Sequence, residues 1–138
     1  MEETAEKTKS EPAYWQRLTP ERAYALYRQI FEKMKKDKTY RRPDYTVKML
    51  AAALHTNTRY LAAALALAGD TNYNQLVNTL RLREVCRYFK SPAHETHSAE
   101  YIGLLAGFAS RQAFYTAFRK AYGCTPNAYR KQIKETKK

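Results

Sequence analysis

The 138-residue sequence contains only four glycines and two cysteines. In no segment do apolar and polar residues alternate for long enough to predict a β-strand. No apolar run could span a bilayer, since a transmembrane helix needs about 20 such residues. The first residues, MEETAEKTKSEP, lack the basic-then-apolar pattern of a secretory signal. These absences predict an all-α protein of the cytoplasm with no membrane partner.

The sequence also has no recognisable catalytic or metal-binding motif. Nothing in it resembles a nucleophile with its base, a pair of catalytic carboxylates or a phosphate-binding glycine loop. Cys86 and Cys124 lie far apart, as expected of reduced, buried cysteines in a cytosolic chain. His94 and His97 have a spacing found in metal sites, but no cysteine or carboxylate pair accompanies them in a recognisable pattern. We therefore expect no enzymatic activity, no metal and no cofactor.

Acidic residues are scarce, because 25 lysines and arginines accompany only 13 aspartates and glutamates, for a net charge of +12. This excess favours a polyanionic partner, either nucleic acid or an anionic membrane surface, with an adaptation for solubility as the alternative. The charge is clustered: residues 110–138 carry eight bases and one acid, whereas residues 91–109 carry two acids and no base. Such clustering indicates an electrostatic surface for nucleic acid.

The spacing of apolar residues predicts helices over most of the chain. Residues 1–18 are polar and charged, and we expect them to be mobile. Residues 19–44 are predicted to form a leading helix and a connector, with Thr19 as the N-cap and Pro20 in the first turn. The apolar face of this helix, which we expect to pack on the rest of the domain, consists of Tyr24, Tyr27, Ile30, Phe31 and Met34.

Two similar units follow, each made of a short helix, a break and a second helix. The matching positions, at an offset of 52 residues, are Ala51, His55 and Leu61 in the first unit and Gly103, Gly107 and Ala113 in the second. This spacing is typical of a helix-turn-helix. In that motif, a small residue lets the two helices approach closely, and a turn residue adopts the left-handed conformation. An apolar residue on the second helix then packs against the first helix. Gly69 and Gly123 are predicted to end the two units.

These patterns predict an all-α fold with two tandem helix-turn-helix units, a linker helix between them and an extra N-terminal helix. The first unit is predicted at about residues 46–69, the linker helix at about 72–90 and the second unit at about 98–123. A closing helix at about residues 125–135 begins with Thr125 as N-cap and Pro126 in the first turn. Residues 45–138 together form one predicted domain.

Residues 44–132 resemble the DNA-binding domain of the AraC/XylS family of bacterial transcription regulators. LAAALHTNTRYL is similar to that domain's first motif, and YNQLVNTLRL to the beginning of its connecting helix. The family's C-terminal signature is matched by Gly107, Phe108, Phe114, Phe118, Arg119, Lys120, Gly123, Thr125, Pro126, Tyr129 and Arg130. The resemblance implies that residues 45–138 are a domain of this type. It also implies sequence-specific binding of double-stranded DNA and the regulation of transcription.

The aromatic side chains of this signature are expected to fill a core and not to stack on bases. Phe108, Phe114 and Phe118 would hold the second helix of the second unit in place. Tyr122 and Tyr129 would hold the closing helix against it. The basic residues would then occupy the opposite, solvent-facing side, where phosphates would lie.

The docking mode of the family implies that the second helix of each unit, the recognition helix, enters a major groove with its first turns at the base edges. The residues implied to contact bases are Asn57, Thr58, Arg59, Ser110, Arg111, Gln112, Tyr115 and Thr116. Those implied to contact phosphates are Lys48, Arg119, Lys120, Arg130 and Lys131. Arg111 suits a bidentate contact with guanine, and Gln112 one with adenine. The more basic second unit is expected to dominate binding.

The first unit departs from the family pattern. Its recognition helix, TRYLAAALALAG, has one basic residue and then an apolar run. At positions where members usually carry polar or basic residues, this helix has Ala62, Ala63 and Ala66. At the turn, His55 replaces a common glycine. Whether this helix contacts DNA stays open. The alternatives are packing against the leading helix and a surface for a partner.

Two hypotheses about function remain open. In the first, the chain is a transcription factor that binds DNA, with RNA polymerase, a sensing domain or a second protomer as further candidate partners. It then either stands alone or forms the output part of a longer regulator. In the second, it is a helical protein–protein interaction module that has lost most DNA binding and uses the Ala/Leu-rich first unit as a partner surface. Salt-sensitive binding to duplex DNA separates the two.

Overall fold

The structure is a computed structural model that describes residues 18–137, except the side chain of residue 137. The segment 1–17, most of the stretch that the sequence predicts to be mobile, lies outside the described residues. The described part contains no strand, and its α-helices are α1 Pro20–Asp37, α2 Val47–Ala53, α3 Thr58–Gly69, α4 Tyr73–Lys90, α5 Ala99–Ala106, α6 Arg111–Tyr122 and α7 Pro126–Lys137. The predicted all-α class is confirmed.

The chain divides into two compact units, and each contains one helix-turn-helix motif. Among the described residues, the first unit consists of residues 18–37 and Tyr45–Gln75, and the second of Lys38–Asp44 and residues 76–137. The first motif is α2 with α3, and the second is α5 with α6. Helix α4 begins in the first unit and continues into the second, as expected of a linker helix. The connector that follows α1 belongs to the second unit, although α1 and α2 on either side of it belong to the first.

In the first unit, α1 packs along α3. The predicted cap is present, because Thr19 Oγ1 accepts a hydrogen bond from the amide of Arg22 at 3.2 Å. The buried side chains of α1 are Ala23, Leu26, Ile30 and Met34. The predicted apolar face was wrong at Tyr24, which is 56% exposed. Ala23 and Leu26 are buried instead, so the buried face of the helix is rotated from the predicted one towards these two positions.

The end of α3 differs from the prediction for Gly69. The helix includes Gly69, and the left-handed residue that ends it is Asp70, with φ 50°. Gly69 is instead a point of close approach, because a Cβ there would lie 2.4 Å from Cε1 of Tyr27 on α1. At the end of α6 the prediction is confirmed, since Gly123 is left-handed with φ 78°.

The turn of each motif passes through one residue in the left-handed conformation, as predicted. His55 has φ 58° and Gly107 has φ 116°. In the second motif, the amide of Phe108 then donates to the carbonyl of Gly103 at 3.1 Å. Gly107 also meets a packing requirement, since a Cβ would lie 2.2 Å from the carbonyl oxygen of Tyr40. His55 adopts the same conformation with a side chain, at a steric cost that glycine avoids.

The two turns differ in length by one residue. Helix α3 is capped by Asn57, two residues after the left-handed position, whereas α6 is capped by Ser110, three residues after it. The apolar residue that corresponds to Leu61 is therefore Phe114, and the predicted match with Ala113 was wrong. Leu61 and Phe114 are at most 1% exposed, while Ala113 is exposed, because the extra residue advances α6 by one position.

An aromatic and aliphatic cluster forms the core of the second unit. Its buried members are Leu82, Val85, Phe89, Ala99, Ile102, Ala106, Phe108, Phe114 and Phe118. Phe118 lies at its centre, with ring centroids 5.9 Å from Phe114, 4.6 Å from Tyr122 and 5.4 Å from Tyr129. The interpretation as core is confirmed for Phe108, Phe114 and Phe118; Tyr129 packs against them partly buried, whereas Tyr122 is 38% exposed. These aromatic side chains orient α6 and α7, and so determine which side chains of α6 face outward.

A buried carboxylate fixes the connector onto α4 within the second unit. Glu84 is fully buried, accepts hydrogen bonds from the hydroxyls of Tyr40 and Tyr88, and forms an ion pair with Arg41. Burial opposes the ionisation of Glu84, but these partners outweigh it and lower its pKa. Burial and the bond to Glu84 raise the pKa of Tyr88 to about 12. Arg81 adds a hydrogen bond from its Nε to the carbonyl oxygen of Tyr40 at 2.6 Å.

Candidate nucleic-acid interface

Helix α6 has one buried face and one exposed face. Phe114 and Phe118 occupy the buried face, and Gly103 on α5 makes room for them, since a Cβ there would lie 2.6 Å from Cδ2 of Phe114. The exposed, polar face consists of Arg111, Gln112, Thr116, Arg119 and Lys120. With four polar or cationic groups in its first nine residues and no acid, this face suits a polyanionic partner.

Two predicted base-contact residues are the caps of the recognition helices. Asn57 Oδ1 accepts from the amide of Tyr60 at 2.8 Å, and Ser110 Oγ accepts from the amide of Ala113 at 3.0 Å. Each cap satisfies one of the amides that have no partner within the helix. The acceptor oxygens are thereby used in the fold. Each residue also carries a donor that the cap does not use, the side-chain amide of Asn57 or the hydroxyl of Ser110.

Arg111 and Tyr115, two further predicted base-contact residues, converge on Glu100 of α5. The hydroxyl of Tyr115 donates to Glu100 Oε2 at 2.6 Å, and Arg111 Nε lies 3.7 Å from the same oxygen. The guanidinium of Arg111 also lies over the ring of Tyr115, 5.3 Å from its centroid. Asn127 of α7 donates to the hydroxyl of Tyr115 at 3.3 Å. The structure therefore holds Tyr115 half-buried and leaves the side chain of Arg111 73% exposed.

The electrostatics of this cluster favour an ionised carboxylate. The hydrogen bond from Tyr115 is the main cause that lowers the pKa of Glu100, and the charge of Arg111 acts in the same direction. The same bond, together with burial, raises the pKa of Tyr115. At neutral pH Glu100 is therefore an anion and Tyr115 a neutral donor, so the ion pair with Arg111 is maintained.

The first recognition helix presents a different surface. Thr58 and Arg59 are exposed at its start, and Ala62 and Ala66 are exposed further along. Ala63 is only 5% exposed, because it packs in a small cluster with Leu18 and Ala23 from the segment that begins α1. Of the alternatives for the apolar run, packing against the leading helix is therefore confirmed for this position.

Arg130 requires a correction, because its surroundings do not suit a phosphate contact. The residue is only 9% exposed. Its Nη1 donates to the carbonyl oxygen of His97 at 2.6 Å, and its Nη2 to that of His94 at 2.9 Å. The guanidinium also lies 5.1 Å from the ring centroid of Phe89. Arg130 thus holds α7 to the segment before α5. The phosphate candidates that lie exposed are Lys48, Arg119, Lys120 and Lys131.

Glu100 is a site residue that the sequence reasoning missed. A usable signal was present, because residues 98–138 contain only two acids, Glu100 and Glu135, among eight bases. A lone carboxylate this close in sequence to a cationic helix is a candidate partner for one of the bases on that helix. Its partner could not be identified from sequence, since Glu100 and Arg111 lie on different helices and meet only through the geometry of the turn.

Within residues 18–137, no group of three or more histidine, cysteine, aspartate or glutamate side chains could hold a metal ion. His94 and His97 do approach each other, with their Nδ1 atoms 3.1 Å apart. Their rings lie in a row between those of Tyr88 and Tyr101, tilted relative to one another, with centroid distances of 4.4 Å and 4.8 Å for the outer pairs. No helix of the described part is long and apolar enough to cross a membrane.

The tandem motifs, the left-handed turns and the exposed polar face of α6 define a helix-turn-helix DNA-binding domain. A family model described as a helix-turn-helix domain matches residues 50–132. The chain belongs to the AraC/XylS family of helix-turn-helix proteins, and the resemblance seen in the sequence is confirmed.

Two known proteins are similar to parts of the chain. The RCS-specific HTH-type transcriptional activator RclR of Escherichia coli (strain K12) is 29% identical over 91 residues, which are 66% of this chain and 31% of RclR. The chain thus spans less than a third of the length of that relative. The C-terminal domain of AraT, a response regulator from Geobacillus stearothermophilus, matches with a TM-score of 0.64 and 24% identity, over 84% of this chain and 88% of that domain. This second likeness shows the fold.

Proposed function

We propose that the chain binds specific sequences of double-stranded DNA through α3 and α6, placed in successive major grooves, and thereby regulates transcription. The second motif supplies most of the affinity and the specificity. The observation that carries this proposal is the exposed face of α6, where Arg111 is oriented by neighbouring side chains and cationic residues follow on the same helix. RclR, which is named a transcriptional activator, supports the role in transcription.

Base contacts in the second motif are made by the first two turns of α6. Arg111 pairs with the O6 and N7 atoms of a guanine, and Gln112 with the N6 and N7 atoms of an adenine. Thr116, one turn later and exposed, is suited to a smaller contact such as a thymine methyl group. The hydroxyl of Tyr115 is hydrogen-bonded to Glu100 and Asn127 and is not available to a base. The role of Tyr115 is to hold Arg111 in place, because the guanidinium of Arg111 lies over its ring.

Phosphate contacts surround these positions. Arg119 and Lys120 lie in the last turn of α6, and Lys131 lies on α7. Lys48 supplies the corresponding charge on α2 of the first motif. Each contact releases counterions, so each adds roughly 0.9 to the slope of log affinity against log salt. These residues position the protein on the duplex and do not distinguish sequences.

The first motif makes a smaller contribution. Residues 45–69 carry two bases, Lys48 and Arg59, and no acid. Ala63, which corresponds to Thr116 in the second motif, is covered by residues of the α1 region. Contacts from α3 are therefore limited to Asn57, Thr58 and Arg59 at its start, where polar side chains remain exposed.

The expected compartment is the cytoplasm, where bacterial DNA lies. RNA polymerase, a sensing domain and a second protomer are the further candidate partners. The proposal is for a binding protein and not for an enzyme. The alternative, an interaction module that has lost DNA binding, draws on the exposed apolar side chains of the first unit, of which Leu67 is 65% exposed. The charge of α6 favours DNA over this alternative.

The test begins with the selection of bound sequences from a random duplex pool. The selected duplex and a scrambled duplex of equal length are then titrated with the 138-residue chain, by fluorescence anisotropy, between about 50 and 200 mM salt. We expect tighter binding to the selected duplex at every salt concentration, and affinity for both that falls steeply with salt. Absence of binding to any duplex at the lowest salt concentration would instead support the interaction module.

A further inference from the structure

We infer that Glu100 is a specificity-determining residue that acts through Arg111. It touches no base itself. It orients the guanidinium of Arg111 towards guanine, and its negative charge disfavours contacts between that guanidinium and phosphate groups. This inference rests on the proposed function, because it assumes that α6 faces the base edges.

The geometry of the ion pair leaves the appropriate end of Arg111 accessible. Glu100 Oε2 lies 3.7 Å from Nε, the nitrogen nearest the side-chain stem. The two terminal nitrogens lie beyond it on a side chain that is 73% exposed. An end-on bidentate contact with the O6 and N7 atoms of guanine uses these terminal nitrogens. The carboxylate thus restrains the inner part of the guanidinium while the outer part is presented to DNA.

Tyr115 completes the support. Its hydroxyl is held by Glu100 at 2.6 Å and by Asn127 at 3.3 Å, so the ring has a fixed position. The guanidinium lies over that ring at 5.3 Å, within the range of a cation–π contact. Arg111 is therefore restrained both by the ion pair and by the ring. Because the side chain of Arg111 is already restrained, it loses less rotamer freedom when it binds a base. For the same reason, it adapts less readily to a base in the wrong position.

The charge of Glu100 has a second effect, on binding to the wrong sequence. A carboxylate beside the recognition helix is repelled by the phosphates of every duplex, so it weakens all binding to a similar extent. On the correct sequence the oriented contact of Arg111 compensates for that repulsion. On other sequences nothing compensates, so discrimination increases.

The first motif does not carry these three chemical groups at the corresponding positions. The corresponding positions, counted from the caps of the helices, hold Lys48, Thr58 and Ala62. The arrangement is therefore a property of the second motif and not of the helix-turn-helix frame, which both motifs share. A role in maintaining the fold alone would not explain why Glu100 and Tyr115 both contact Arg111, whose side chain is 73% exposed.

The experiment compares Glu100→Gln with the parent chain on the duplex selected from the random pool and on variants with one base pair replaced. The relevant base pair is the one at which Arg111→Ala loses discrimination. We expect the ratio of matched to mismatched affinity at that pair to fall about three- to tenfold in Glu100→Gln, the coupling usual for residues in contact. Affinity for the mismatched duplex should rise, because a negative charge is lost. Tyr115→Phe, which removes the hydroxyl but keeps the ring, should lower the ratio less.

Two controls make the result decisive. Glu95→Gln removes the same charge from an exposed position of the same unit, and should leave the ratio unchanged. In an Arg111→Ala background, Glu100→Gln should have no further effect on the ratio. The inference is overturned if Glu100→Gln keeps the parent ratio while circular dichroism shows it folded, or if the two glutamate variants behave alike. If Arg111→Ala loses discrimination at no base pair, the base contact itself is wrong and this inference fails with it.

Discussion

The two helix-turn-helix motifs share a frame and differ in what that frame presents. Each begins both of its helices with a capping side chain, and each turn contains one left-handed residue. In the second motif, large aromatic residues fill the core and the outer face of α6 is cationic. In the first, alanines and leucines fill the core, and part of the outer face of α3 is covered by the α1 region.

This difference indicates that the arrangement of the two helices in a motif does not by itself determine which side chains the second helix exposes. Capping residues and a left-handed turn occur in both motifs, around cores of different composition. Binding to DNA requires in addition that the first turns of the recognition helix stay exposed and carry suitable donors. The comparison makes four predictions, which follow from the largest expected effect to the smallest.

The largest effect is expected at the aromatic core of the second motif. Phe118→Ala should lower the free energy of unfolding by about 3–5 kcal/mol, because it deletes a fully buried ring in contact with four others. Urea unfolding followed by circular dichroism measures the change. The matched control is Tyr24→Ala, at an exposed aromatic residue of the first unit, which should change stability by less than about 0.5 kcal/mol. An unchanged unfolding midpoint for Phe118→Ala would show that the second motif does not depend on its aromatic core.

The next effect concerns the buried arginine of α7. Arg130→Ala should lower the free energy of unfolding by about 2–3 kcal/mol, because it leaves three carbonyl groups of the segment 94–97 without their charged donor. Lys131→Ala, at the next and exposed position, should leave stability unchanged and flatten the salt dependence of DNA binding. If the two variants were equally stable and both flattened the salt dependence, Arg130 would be a phosphate contact after all.

The third prediction compares the two recognition helices directly. Replacement of both Arg111 and Gln112 by alanine should reduce affinity for the selected duplex by about 2 kcal/mol, since each lost bidentate contact removes at least roughly 1 kcal/mol. Replacement of both Thr58 and Arg59 should reduce it by less. These pairs leave the capping residues Asn57 and Ser110 in place, so helix stability is matched. Anisotropy titrations at one salt concentration measure both losses. Equal losses would mean that the covered helix contributes as much as the open one.

The smallest effect is expected at the turn of the first motif. His55→Gly should raise the free energy of unfolding by about 0.5–1 kcal/mol. The change removes the steric cost of a left-handed conformation in a residue with a side chain. The larger loss of backbone entropy when a glycine is ordered offsets part of this gain. The converse change, Gly107→Ala, should destabilise the second motif, where a Cβ would meet the carbonyl of Tyr40. Loss of stability in His55→Gly would indicate that the imidazole makes a contact that compensates for the strain.

Much of the frame could be predicted from the sequence because local chemistry determines it. Capping residues, the 3.6-residue apolar period and the glycine at position 107 each act within a few residues of one another. The match of Leu61 with Ala113 failed because it assumed equal turns, and one additional residue moved the buried position to Phe114. Such an insertion is visible only when the caps of both helices are known.

The site was less predictable because it depends on contacts between distant residues. Arg130 lies in a basic run and resembles its neighbour Lys131 in sequence, yet one is buried and the other exposed. What separates them is the position of α7 relative to the carbonyl groups of residues 94–97. Glu100 could be noticed for its charge, but its pairing with Arg111 and Tyr115 depends on how α5 and α6 meet.

The path of the chain has a consequence for how the molecule can be divided. The connector supplies Tyr40 and Arg41 to the buried Glu84, although the helices on either side of it, α1 and α2, belong to the other unit. The two units are therefore interleaved along the chain and not arranged one after the other. A fragment cut at the start of α4 would contain every helix of the second motif, yet its central carboxylate would lose an aromatic donor and a cation from Lys38–Asp44. An excised second motif needs that short peptide restored, by fusion or by addition in trans, before it can be compared with the intact protein.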